Sequence, residues 1–167
     1  MRRRSVKAAY TALLVVVALR RLRLFTRGEW DDPDFPDYEP YEEPRTLTAR
    51  EREILDFLLT VDMPGMEELR EQAKTALAER VGARDPGFAL YVDKETTSPS
   101  PLRARPLIQA FTMRKDVDSL YELLLWLDDE GWLSYVEFTV FGDAEWLEEL
   151  LPASDFDPPQ PFRYDKQ

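Results

Sequence analysis

Leu120–Phe141, LYELLLWLDDEGWLSYVEFTVF, joins two apolar arms through Asp128-Asp129-Glu130-Gly131. The second arm, Trp132–Phe141, is rich in Val, Phe, Tyr and Thr, the side chains that suit a pleated, half-buried strand. The first arm, Leu120–Leu127, fits two patterns. Asp118 is placed to cap a helix, and Leu120, Leu123, Leu124 and Leu127 would give that helix an apolar stripe. A strand is preferred, because the second arm needs a hydrogen-bonding neighbour. The stretch is therefore expected to form an antiparallel hairpin.

Setting Leu127 across the turn from Trp132 fixes a register. Tyr121, Leu123, Leu125, Val136, Phe138 and Val140 then share one face, while Leu124, Trp126, Leu133 and Tyr135 share the other. Leu107 and Phe111 join the second group if the preceding strand, Leu107–Met113, pairs simply. A sheet with large apolar groups on both faces needs cover on both. The acidic linker described below, the C-terminal tail with Phe156 and Phe162, or another chain can supply it. Leu124, Trp126, Leu133, Tyr135 and Phe111 accordingly form a candidate interaction face. The same register sets Glu122 opposite Glu137. Directly opposed like charges destabilise a sheet, so the two carboxylates bind a cation, work as an acid/base pair, are bridged by Arg105, Arg114 or Lys115, or diverge into solvent. A lone pair of glutamates falls short of the ligand count of calcium or magnesium. No metal site is expected here, nor in the Asp128–Glu130 run, which lacks the alternating oxygen ligands of an EF-hand.

Upstream, Thr48-Ala49-Arg50-Glu51 is a capping-box pattern, and Ile54, Leu55, Leu58 and Leu59 follow as one stripe of a helix. Asp62-Met63-Pro64-Gly65 interrupts it. A second helix follows, in which Met66, Leu69, Ala73, Ala76, Leu77 and Val81 recur at three- and four-residue steps up to Gly82. Phe88–Val92 reads as a short strand before the Thr/Ser/Pro loop Lys94–Pro101. Asp143–Leu151 reads as a closing helix with Trp146, Leu147 and Leu150 turned inward. The expected fold is α+β: an N-terminal αα-hairpin packed on a small antiparallel sheet of three or four strands, with a short C-terminal helix. The folded domain is placed at 46–152, followed by a disordered tail at 153–167.

Charge divides the chain. Residues 1–28 carry eight bases and no acid, whereas the other 139 residues carry 14 bases against 33 acids, a net of −19. A body this acidic repels phosphate, so no nucleic-acid partner is expected. Ala8–Leu19 is an apolar run too short to span a hydrocarbon layer, which takes about 20 residues, and bases flank it on both sides. It fits a membrane-associated anchor on an anionic surface, a cleaved signal, or a dispensable extension. Arg20-Arg21-Leu22-Arg23 stands where a signal would need small residues. Glu29–Arg45 follows, with eight acids and prolines at 33, 36, 40 and 44. It reads as an extended spacer, or as a linear peptide presenting Trp30, Phe35, Tyr38 and Tyr41 to a groove.

The chain has no cysteine and no histidine. Disulfides, thiolate zinc sites, cysteine nucleophiles and Ser-His-Asp triads are thereby excluded. No catalytic constellation and no cofactor motif is present among the residues that remain.

Leu47 with Thr48–Leu55, TAREREIL, resembles the opening of a LuxR-type helix-turn-helix, but residues 56–82 are net acidic where that family has a basic recognition helix. A broader resemblance, over residues 47–143, is to small uncharacterised actinobacterial proteins. It rests on the Leu-Thr-x-Arg-Glu opening, on Pro64-Gly65 with Glu68-Leu69-Arg70 and Gln72, and on a hairpin ahead of an aromatic/Gly-Asp stretch like Val136–Asp143. That family often has a cysteine cluster after the second helix. Here Val81–Gly87 stands in its place, so the resemblance implies no metal role and no activity.

The expected function is that of a cytoplasmic, acidic, non-enzymatic protein-interaction module. It takes a protein partner or a second copy of itself, and its N-terminal segment offers a tether to an anionic membrane. Two alternatives remain open: an immunity- or antitoxin-like inhibitor of a basic partner, and a small hydrolase using Glu122 and Glu137.

Overall fold

In the computed structural model the described residues are 43–82, 85–103, 106–114, 119–141, 147 and 149–163. The N-terminal segment at 1–28, and the linker as far as residue 42, lie outside them.

A short strand, β1 (Arg45–Thr46), leads into helix α1 (Ala49–Leu58). The capping box forms as read. Thr48 Oγ1 accepts the Glu51 amide at 3.2 Å, and the Thr48 amide donates to Glu51 Oε2 at 2.7 Å. Arg45 adds a two-pronged ion pair to the same carboxylate, at 2.8 and 2.9 Å, tying β1 to the helix start. Ile54, Leu55 and Leu58 are fully buried, as the stripe requires. The end of α1 is closed from across the helix pair: Arg70 donates to the carbonyls of Leu59 and Val61 at 3.0 and 2.9 Å, meeting acceptors that a helix end leaves open. Gly65, at φ +92°, turns the chain into α2 (Met66–Thr75).

Here the expected fold needs its first correction. The second helix does not run on to Val81. Ala76 is extended, with φ −60° and ψ 137°, and the chain continues as β2 (Leu77–Gly82). Among the described residues, β3 (Asp85–Tyr91), β4 (Ile108–Arg114), β5 (Ser119–Leu127), β6 (Leu133–Phe141) and β7 (Gln160–Pro161) complete a sheet of seven strands in the order β1-β2-β3-β6-β5-β4-β7. Each neighbouring pair is antiparallel. The content is α+β, but the sheet is far larger than the three or four strands expected, and the helical hairpin is the smaller part. Of the expected closing helix, residues 143–146 and 148 lie outside the described set. Residues 147 and 149–151 are not helical, and a single 3-10 turn follows at Ala153–Asp155. Residues 153–163 stay against α1 and the sheet. The Ala153 amide donates to Glu53 at 3.0 Å, Phe156 is buried, and Phe162 donates to the Leu107 carbonyl at 2.9 Å.

Both helices contribute to one core with the first face of the sheet. Ile54, Leu58 and Leu69 join Phe88, Ile108, Tyr121, Leu123, Leu125, Val136 and Phe138 in a continuous buried cluster. Tyr121 and Phe138 stack at 5.6 Å.

The β5–β6 register corrects the expected one by two residues. Leu120 pairs with Phe141, Glu122 with Thr139, Leu124 with Glu137, and Trp126 with Tyr135. Two one-residue irregularities produce the shift. At the turn, Asp128 Oδ1 accepts the amides of Glu130 and Trp132, both at 2.9 Å, and Gly131 takes φ +93°. Asp128 rather than Leu127 therefore faces Trp132, bonded at 2.8 Å through its amide. This is a three-residue loop closed by a left-handed glycine. Just beyond it the register shifts again between Trp126 and Leu127, where Ser134 bulges and its hydroxyl donates to the Trp126 carbonyl at 3.1 Å. Two single slips restore the original face for residues 120–126 and 135–141. Between them, Leu133 pairs with Leu127 and falls into the core.

Candidate functional site

The second face of the sheet, opposite the helices, is where chemistry-bearing side chains collect. The register places Leu77 and Glu79 of β2, Ala89 and Tyr91 of β3, Tyr135, Glu137 and Thr139 of β6, Glu122, Leu124 and Trp126 of β5, and Gln109, Phe111 and Met113 of β4 on it. Of the candidate interaction residues, Leu124 is buried, Trp126, Tyr135 and Phe111 are half-buried, and all four share this face. Leu133 does not belong to the group: it is 2% exposed and sits in the helix-side core because of the bulge. Leu107 is in that core as well.

Glu122 and Glu137 share the face without opposing one another. Glu122 is across from Thr139, and Glu137 is two positions further back on β6, so the two are diagonal neighbours. Glu137 holds two donors: Trp126 Nε1 at 3.0 Å on Oε2 and Thr139 Oγ1 at 2.8 Å on Oε1. A carboxylate is an acceptor-only group, and both of its oxygens are matched here. Glu122, Tyr135 and Glu137 each make further interactions. The simple picture of two repelling carboxylates is replaced by a carboxylate that locks the Trp126 indole. A third glutamate, Glu79, accepts from the Tyr91 hydroxyl. The pairing of Glu79 with Tyr91 is missed by sequence reading because Leu77 and Val81 continue the helical spacing of Ala73 and Ala76, although Phe88–Val92 itself reads as a strand. Leu77–Val81 shows no apolar/polar alternation, so no local signal marks it as a strand. Among the described residues, no group of three or more acids is arranged to hold a metal ion.

At one end of this sheet Lys94 reaches the turn, 3.3 Å from Asp128, 3.1 Å from Glu130 and 5.2 Å from the Trp132 ring centre. Burial pushes the Asp128 carboxyl up, but the amides of Trp132 and Glu130 and the Lys94 ammonium outweigh it and hold the group below its ordinary range. At Glu51, burial likewise raises, and the Arg45 and Thr48 bonds more than offset it. A carboxylate depressed in the fold stabilises above its unfolded pKa, and the contribution is lost as pH falls through the folded one. Stability is therefore expected to be level above about pH 5 and to fall below about pH 4. Urea midpoints across that range check it. Asp128→Asn, which keeps the oxygen that takes both amides, should lessen the acid-side loss.

Among the described residues, no helix is long and apolar enough to cross a membrane. No protein family, no curated protein and no solved structure matches this chain.

Proposed function

We propose that this protein is a non-enzymatic protein-binding module whose contact surface is the second face of the sheet. One observation carries the reading. The large apolar side chains exposed among the described residues are Leu77 at 38%, Tyr91 at 46% and Met113 at 62%, and all three lie on that face. Isolated exposed apolar groups are ordinary, but these share one face with half-buried aromatics, Leu77 and Tyr91 toward the Trp126–Tyr135 end and Met113 beside Phe111 toward the other, which is the composition of a binding surface. The rigid sheet supplies a preformed platform, so little ordering accompanies binding. A second reading, an acidic inhibitor of a basic protein, is favoured by the net −19 of residues 29–167.

The test is a double variant, Leu77→Ser with Met113→Ser. Both side chains are exposed, so the unfolding free energy should move by no more than about 0.5 kcal/mol. Capture of a lysate partner by the full chain should be lost. Equal capture by wild type and variant would move the contact surface elsewhere.

A further inference from the structure

The helix pair has a cleft of its own, on the side of the sheet away from the second face. Its volume is about 280 Å³, and its described lining includes Arg52 and Asp56 of α1, Leu59 just past that helix, and Arg70, Ala73 and Lys74 of α2. Three bases thus meet one acid there, in a chain whose residues 29–167 are net −19.

The two arginines are held by backbone carbonyls and only weakly offset by carboxylates. Arg52 Nη1 donates to the Ala73 carbonyl at 2.5 Å, and Asp56, which is exposed, lies 4.0 Å away. Arg70 gives Nε and Nη2 to the Leu59 and Val61 carbonyls, and its Nη1 is 3.7 Å from exposed Glu67. Exposed pairs at such separations are weak. Among the described residues, Nε and Nη2 of Arg52 and Nη1 of Arg70 make no hydrogen bond. Both guanidiniums are anchored before any ligand arrives, so little side-chain freedom is lost on binding. The helix-end carbonyls that would repel an anion are met by these same groups. Lys74 adds a third charge, shared with Glu71 at 2.5 Å.

We propose that this cleft binds the phosphate of a small phosphate monoester. Unused N–H groups on two guanidinium forks, one from each helix, match the three free oxygens of a phosphate ester, whereas a carboxylate offers only two. The volume falls just under the range of about 300–1,000 Å³ that drug-sized ligands fill, which suits a metabolite with a short body beyond its phosphate. Distant acids do not oppose a small anion here, because a Debye length of about 8 Å screens them at physiological ionic strength. The inference does not rest on the second face of the sheet.

The full chain is titrated with glycerol 3-phosphate, inorganic phosphate and acetate, read by calorimetry and by amide chemical shifts. Glycerol 3-phosphate should bind with a Kd of about 1 mM or tighter and move the signals of residues 52–60 and 70–74. Arg52→Gln should weaken it about tenfold and Lys74→Gln about twofold. Asp56→Asn, which removes the acid from the lining, should tighten it about twofold, a change of sign that damage to the fold would not produce. Arg70→Gln should weaken it about tenfold as well, and if that variant does not fold, the Arg52 and Asp56 arms decide alone. Acetate binding as tightly as the ester overturns the phosphate assignment. Inorganic phosphate binding as tightly as the ester overturns the monoester in favour of the free ion. Binding that Arg52→Gln and Asp56→Asn both leave unchanged overturns the cleft as its site, and no binding at about 10 mM overturns the proposal outright.

Discussion

Gly131→Ala is expected to lower the unfolding free energy by about 3–5 kcal/mol, strain and displacement each contributing about 1–3. Gly131 sits at φ +93°, a conformation in which an L side chain crowds its own backbone. The site is also closed from outside. A Cβ built there lands inside the contact shells of the Ser100 carbonyl oxygen and the Arg103 guanidinium, and the carbonyl is fixed backbone. The same glycine carbonyl accepts the Ser100 amide at 2.9 Å, so moving the turn also breaks its link to the 98–103 loop. Thermal unfolding should show a midpoint about 10 °C lower. An unchanged midpoint would mean that the turn relaxes freely, and the register derived from it would be in doubt.

Gln72→Leu is expected to cost about 2–4 kcal/mol, although the replacement is similar in size and more hydrophobic. Gln72 is fully buried on α2 and joins three segments. Its Nε2 donates to the carbonyls of Ser98 and Gly131 at 2.8 and 3.3 Å, and its Oε1 accepts the Leu133 amide at 2.9 Å. Leucine would leave the buried Leu133 amide without that acceptor, and an unmet buried donor carries its full desolvation penalty. Urea unfolding gives the free energy, and hydrogen exchange at the Leu133 amide should accelerate specifically. A neutral result would mean that water takes the place of the Gln72 oxygen.

The capping box at Thr48 and Glu51, the Ile54–Leu58 stripe and the strand character of Leu120–Phe141 were legible because each is a local pattern with a local cause. β2 was not. Ala73, Ala76, Leu77 and Val81 keep helical spacing past Thr75, and no Gly or Pro stops the helix there. What ends it is non-local: Leu77–Arg80 gain ladder partners in Tyr91–Phe88, and Ala78 gains a fully buried place in the core. Tertiary pairing of this kind overrides helical propensity. The two-residue strands β1 and β7 carry no periodicity to read. On the candidate face, Trp126, Tyr135 and Leu124 were identifiable even with the register off by two, since an even slip preserves which face a side chain occupies. Leu133 was misplaced because it falls between the two slips, where the count is off by one. Neither the Asp128 side chain's hold on two amides nor the Ser134 bulge announces itself as a change in strand pattern.

Placing the first strand at one edge and the last at the other has a mechanical consequence. Six inter-strand steps separate β1 from β7, about 29 Å along the hydrogen-bonding direction. Tension applied through these two ends pulls across the ladders instead of along them, so the bonds are loaded pair by pair and peel. Every ladder carries the same tension, so the two-residue outer strands, Arg45–Thr46 on β2 and Gln160–Pro161 on β4, would detach first, well before the long β5–β6 ladder gives way. The same separation governs circular permutation: bridging the two edges would take about nine extended residues, and a shorter bridge would strip both outer strands.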